Sequence, residues 1–120
     1  MRFRSRLASF ILVFLAAPAF GHVTLDHAEP KVGSKTHGSP TVVKIWFSDD
    51  VELRGTSVEV FDASGNRVDK ADLHADPKDQ SIVIISLSER LPAGIYKVAW
   101  RALCQDKHKT KGDFRFELTK

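Results

Sequence analysis

The chain has one cysteine, Cys104, and one methionine, Met1. A single cysteine excludes an internal disulfide, so packing alone must hold any core. With no methionine after position 1 there is no thioether cluster for a soft metal ion. Long apolar runs are also missing. The longest, residues 7–17, is broken only by Ser9 and falls short of the roughly 20 residues that span a bilayer. No segment keeps a sustained 3.6-residue period, which argues against helices. Excess charge is missing too. Arg2, Arg4 and Arg6 account for the formal net charge of +3, and the rest of the chain carries 15 acids and 15 lysines or arginines. A neutral composition gives no electrostatic case for nucleic acid or an anionic membrane surface.

The first segment has a recognisable layout. Three arginines precede the apolar run, and Ala19-Phe20-Gly21 puts small residues where a signal peptidase reads. Residues 1–21 are therefore expected to be a secretory signal peptide, and residues 22–120 one exported domain. No cysteine follows the run to carry a lipid. Cleavage there would make His22 the first residue. A histidine at a free N-terminus offers its α-amine and its imidazole to one ion as a chelate. The amine loses its proton readily, since its reference pKa is about 8.

The remaining 99 residues suffice for one core. They read as all-β. Residues 41–47 place Val43, Ile45 and Phe47 on one face. Val58 and Val60 alternate with Glu59, and residues 62–66 are turn chemistry. A polar loop is expected over residues 69–80 and a continuous apolar strand over 81–87. Residues 95–104 set Tyr96, Val98 and Trp100 on one parity, and Phe114, Phe116 and Leu118 alternate near the end. Short strands between turn signals predict an immunoglobulin-like Greek-key sandwich or barrel. Tyr96, after Leu91-Pro-Ala-Gly94, is either a tyrosine corner or an ordinary strand aromatic. Cys104 is either a buried thiol or an exposed reactive one.

Chemistry concentrates at Asp106-Lys107-His108, expected in a polar loop over residues 105–112. In an extended segment the i, i+2 spacing aims a carboxylate and an imidazole to one side. Alone, the pattern also fits a solvated loop, given Lys107, Lys109 and Lys111.

Combined with His22 it is more specific. The chain begins His22-Val-Thr-Leu25, followed by Glu29-Pro-Lys-Val-Gly33. It continues with Ile45-Trp-Phe47-Ser48 and a Leu-x-x-Gly-x-Tyr-x-Val-x-Trp run from Leu91 to Trp100. It closes with Cys104-Gln-Asp106-Lys-His108-Lys-Thr-Lys-Gly112-Asp-Phe114-Arg-Phe116. Over essentially all 99 residues this resembles the CopC-type periplasmic copper-binding proteins. The resemblance implies one Cu(II) per chain, with ligands falling on His22, Asp106 and His108. Residue chemistry agrees: three nitrogens and one oxygen form a tetragonal set suited to Cu(II). The chain departs from the family pattern in having Cys104 for serine and Lys107 for glycine. It also lacks the methionine-rich Cu(I) site of some relatives.

His27, His37 and His74 are expected to take no part in metal binding, and the acids Asp69, Asp72, Asp76 and Asp79 do not fit a Ca²⁺ loop. Cys104 lies two residues from Asp106, near enough in sequence for an accessory sulfur contact. The implied role is a non-enzymatic, monomeric, periplasmic protein for copper sequestration or delivery, with copper and an inner-membrane copper transporter as partners and no nucleic acid. Two other readings exist. One is an N-terminal-histidine copper monooxygenase-like enzyme, against which Asp106 in an equatorial position and the small size both weigh. The other is a metal-free immunoglobulin-like interaction module.

Overall fold

The structure is a computed structural model, and it describes residues 23–120. The proposed signal peptide and His22 lie outside the described residues.

Eight strands run β1 (Leu25–Glu29), β2 (Lys35–His37), β3 (Val42–Phe47), β4 (Ser57–Phe61), β5 (His74–Asp76), β6 (Asp79–Ser86), β7 (Gly94–Leu103) and β8 (Lys109–Thr119). They form two four-stranded sheets, ordered β1-β3-β6-β5 and β2-β8-β7-β4. The fold is therefore a β-sandwich. The period-2 pattern explains why. Val43, Ile45 and Phe47 face Val58, Val60, Tyr96, Val98, Phe114, Phe116 and Leu118 in a single core, all of them buried. Burying each large apolar side chain is worth roughly 1.5–3 kcal/mol, which lets a chain without disulfides hold two sheets together.

The two readings of Tyr96 are resolved. Its ring is buried, and its hydroxyl donates to the Pro92 carbonyl at 2.5 Å. This is the tyrosine corner, and it fixes the entry to β7. Burial also pushes the Tyr96 hydroxyl above its ordinary pKa.

Three local expectations need correction. The polar stretch 69–80 is not all loop: its end forms the β5–β6 hairpin, with Ala75 opposite Val83. Its carboxylates mostly cap backbone. Asp72 accepts from the Ser86 amide and Asp76 from the Lys78 amide. The apolar strand expected over 81–87 runs from Asp79 to Ser86, with Val83 and Ile85 buried on one face and Ile82 and Ile84 half-exposed on the other. The polar stretch 105–112 is also shorter as a loop, since β8 already starts at Lys109.

Candidate metal centre

β7 and β8 pair along their whole length, from Gly94 opposite Leu118 to Leu103 opposite Lys109. The hairpin between them is closed by backbone. The Cys104 amide donates to the His108 carbonyl at 2.8 Å, and the Lys107 amide donates to the Cys104 carbonyl at 3.0 Å. So tight a turn needs a left-handed residue, and Lys107 supplies it with φ of 73°. This accounts for the glycine usual at that position. It also corrects the extended reading of Asp106-Lys107-His108, because the two outer residues meet through a turn.

They do meet. The His108 amide donates to Asp106 Oδ1 at 3.2 Å, and His108 Nδ1 lies 3.0 Å from Asp106 Oδ2. The His108 amide, then its ring, hold the Asp106 carboxyl below its ordinary pKa. An exposed carboxylate and imidazole thus share one spot. Two donors at right angles on an ion with bonds of about 2.0–2.1 Å stand about 2.8–3.0 Å apart. The observed separation matches, so one ion could replace the hydrogen bond between them. Among the described residues no group of three or more histidines, cysteines or carboxylates is arranged to hold a metal. The pair alone offers two donors.

The segment just after position 22 runs beside this pair. Val23 is buried, and its carbonyl accepts from Thr110 Oγ1 at 2.7 Å, two residues along from His108. The Thr24 amide donates to Ser48 Oγ at 2.9 Å and the Thr24 carbonyl accepts from the Ser48 amide at 2.8 Å. The turn after β3 then carries Asp49 and Asp50 and runs into Val51, which bridges Cys104. The Glu52 amide donates to the Leu103 carbonyl at 2.8 Å. Three segments distant in sequence therefore converge at one end of the sandwich. The sequence assigns no role to Thr110 or Glu52, and Ser48 enters there only as part of the Phe47-Ser48 match. Nothing in their residue types marks them, because their roles come from contacts 24 to 87 residues away.

Lys107 does not point its charge freely at this end. Its Nζ contacts both Glu52 carboxylate oxygens, at 2.7 and 2.8 Å.

The other candidates are accounted for. Cys104 is buried as part of the core, which turns its sulfur away from the exposed pair. His27 stacks on Trp46 with ring centroids 4.3 Å apart, and its Nδ1 lies 2.6 Å from Asp26 Oδ2. His37 lies on β2, and His74 on β5 with its Nδ1 3.0 Å from the Asp72 carbonyl.

The chain is similar to several known proteins. The CopC domain model matches residues 25–119. The copper transport protein CutJ of Bacillus subtilis is 28% identical over 109 residues, 91% of this chain but only 20% of that protein. The chain thus spans about a fifth of that relative's length. The crystal structure of CopC from Methylosinus trichosporium OB3b superposes with a TM-score of 0.74 at 26% identity, covering 81% of this chain and 93% of that one. PcoC, a methionine-rich copper resistance protein from Escherichia coli, gives 0.72 at 25% identity, covering 82% and 99%.

Proposed function

Because this chain belongs to the CopC family, we propose that it is an exported Cu(II)-binding protein that sequesters or delivers copper in the periplasm. The observation that carries the reading is the Asp106–His108 pair at 3.0 Å beside the anchored Val23. Residues 1–21 would be removed as a signal peptide, leaving His22 as the first residue. Its amine and ring would join His108 and Asp106, giving three nitrogens and one oxygen. Copper is the cargo here and no reaction is performed on it.

Each residue has a separate task. Asp106 supplies the one negative charge, and its hydrogen bonds from the His108 amide and ring hold its carboxyl below the ordinary carboxylate range. The backbone-closed turn at 104–108 keeps Asp106 and His108 together before any ion arrives, so little ordering entropy is spent on binding. Thr110 holds the Val23 carbonyl and thereby restricts where the preceding residue can reach.

Delivery is proposed toward an inner-membrane copper transporter. In CutJ, named a copper transport protein, the matched region is a fifth of a longer chain.

Intact mass spectrometry of the exported protein, with and without Cu(II), tests the reading. The expected result is a mass starting at His22 that gains one copper. A mass retaining residues 1–21, or no copper uptake at neutral pH, would overturn it.

A further inference from the structure

The neutral charge balance conceals a basic face. Outward positions of β7 and β8 carry Lys97, Arg101, Lys109, Lys111 and Arg115, while Tyr96, Val98, Trp100, Phe114 and Phe116 point inward. The register sets Lys97 opposite Arg115 and Arg101 opposite Lys111. Like charges directly opposite each other on a sheet are destabilising. Among the described residues none of the five cations makes an ion pair. The acids on this face are Glu59 and Asp113, which flank Ala99 between the two cationic rows, and Glu117, which pairs with Lys35 at 3.9 Å. A groove of about 690 Å³ runs there, lined by the cations Lys97, Arg101 and Lys111 and by the acids Glu59 and Asp113. Asp113 is shorter than its basic neighbours, and Glu59 sits at the sheet edge on β4. The outermost layer is therefore positive.

Two unfavourable cross-strand pairs in one face are a cost that a partner can repay. We infer that this face docks on an anionic phospholipid surface. The shape favours a lipid surface over an acidic polypeptide. The rows stand roughly 13 Å apart along the strands, four residues at about 3.3 Å each. Lysine and arginine side chains are longer than the aspartate that lies between the rows. The outer edge of β4, where a peptide strand could add, is occupied, because the Val68 amide donates to the Val60 carbonyl and Asp69 accepts from the Val60 amide. The Asp106–His108 turn joins these same two strands, so docking would hold it at the rim of the contact. The inference stands apart from the copper reading and needs no metal.

Co-sedimentation of the metal-free exported protein with vesicles tests it. Binding to phosphatidylcholine vesicles containing phosphatidylglycerol is expected, with little binding to phosphatidylcholine alone, and it should fall steeply with salt. Each basic residue near such a surface is worth about 1 kcal/mol, or about fivefold in partitioning. Lys97→Glu with Lys111→Glu should abolish binding. The same change turns both like-charge pairs into opposite-charge pairs, so Tm should rise by roughly 2–4 °C. Lost binding with a higher Tm cannot come from unfolding. Equal binding to both vesicle types, or full binding by the double variant, would overturn the inference. So would capture of soluble polyglutamate without vesicle binding, which would mark an acidic polypeptide as the partner.

Discussion

Lys107 and Glu52 grip each other across 55 residues of sequence, with Nζ 2.7 Å from one carboxylate oxygen and 2.8 Å from the other. The contact ties the β7–β8 turn to the segment after β3. It also answers the charge of a lysine placed where the family has glycine. The left-handed backbone at Lys107 costs roughly 1–2 kcal/mol. A half-exposed ion pair returns about 0.2–1 kcal/mol of that.

These magnitudes predict opposite effects on copper from the two partners. Lys107→Gly removes both the strain and the charge. Its stability should match or exceed the parent by up to about 1 kcal/mol, and Cu(II) should bind somewhat more tightly. Glu52→Gln leaves the lysine cation uncompensated and should weaken Cu(II) by up to about fivefold. Competition titration with a Cu(II) chelator measures both. Shifts in the same direction would rule out a charge role for the pair.

The proposed ligands should separate cleanly from the other histidines. His108→Ala and Asp106→Ala should each reduce Cu(II) affinity by more than the roughly 10–100-fold typical of residues that only support a ligand. Extending the mature chain by one residue before His22 should do the same, since the amine becomes an amide. His37→Ala and His74→Ala should change nothing. His27→Ala should leave copper binding intact but alter Trp46 fluorescence, because the stacked ring is lost. A changed nitrogen hyperfine pattern in His74→Ala, with His108→Ala unchanged, would move the site elsewhere.

Oxidation state is a further test. Residues 22–120 contain no methionine, and their one thiol is buried. Reduction by ascorbate beside a Cu(I) chelator should strip the metal completely. Retention of Cu(I) would implicate Cys104.

Gly112 should resist substitution. A Cβ there would stand 2.6 Å from Trp100 Cζ2 and 2.8 Å from Cε2. Trp100 is buried and packs edge-on against Phe47, with centroids 5.4 Å apart, so it has little room to retreat. Gly112→Ala should cost about 1–3 kcal/mol by overpacking. Thermal denaturation measures the loss. An unchanged Tm would mean the indole moves freely.

Stability should fall on acidification partly through Asp69, whose side chain has no exposed surface. Burial alone would raise its pKa. Hydrogen bonds from Arg67 and from the Val60 and Ala71 amides outweigh that and hold it below 3.8. A folded pKa below the unfolded one stabilises fully above about pH 4, and that contribution disappears as pH falls through the folded value. Asp69→Asn should cost about 1–3 kcal/mol at neutral pH, and less in acid. Urea titrations at several pH values give the comparison, and a constant deficit down to pH 3 would contradict the assignment.

Much of the architecture was legible in the sequence because alternation is a local property. Val43-Lys-Ile45-Trp-Phe47 and Phe114-Arg-Phe116 each declare a buried face without reference to any partner strand. The Leu91-to-Tyr96 segment likewise carried the tyrosine corner within five residues. The short β5 escaped notice because His74-Ala-Asp76 has no strand character of its own and exists by pairing with β6. The loop at Asp106-Lys107-His108 is legible, but the left-handed Lys107 that brings Asp106 and His108 together is not, since it goes with the β7–β8 pairing and the contact with Glu52. Composition determined that the domain has no disulfide, no thioether cluster and no net charge. Only the tertiary structure decided where that charge lies. Parity turns each cation outward, but pairing sets Lys97 against Arg115 and Arg101 against Lys111. A sum over residues cannot register that separation, because Coulomb energy depends on distances that only the folded chain defines.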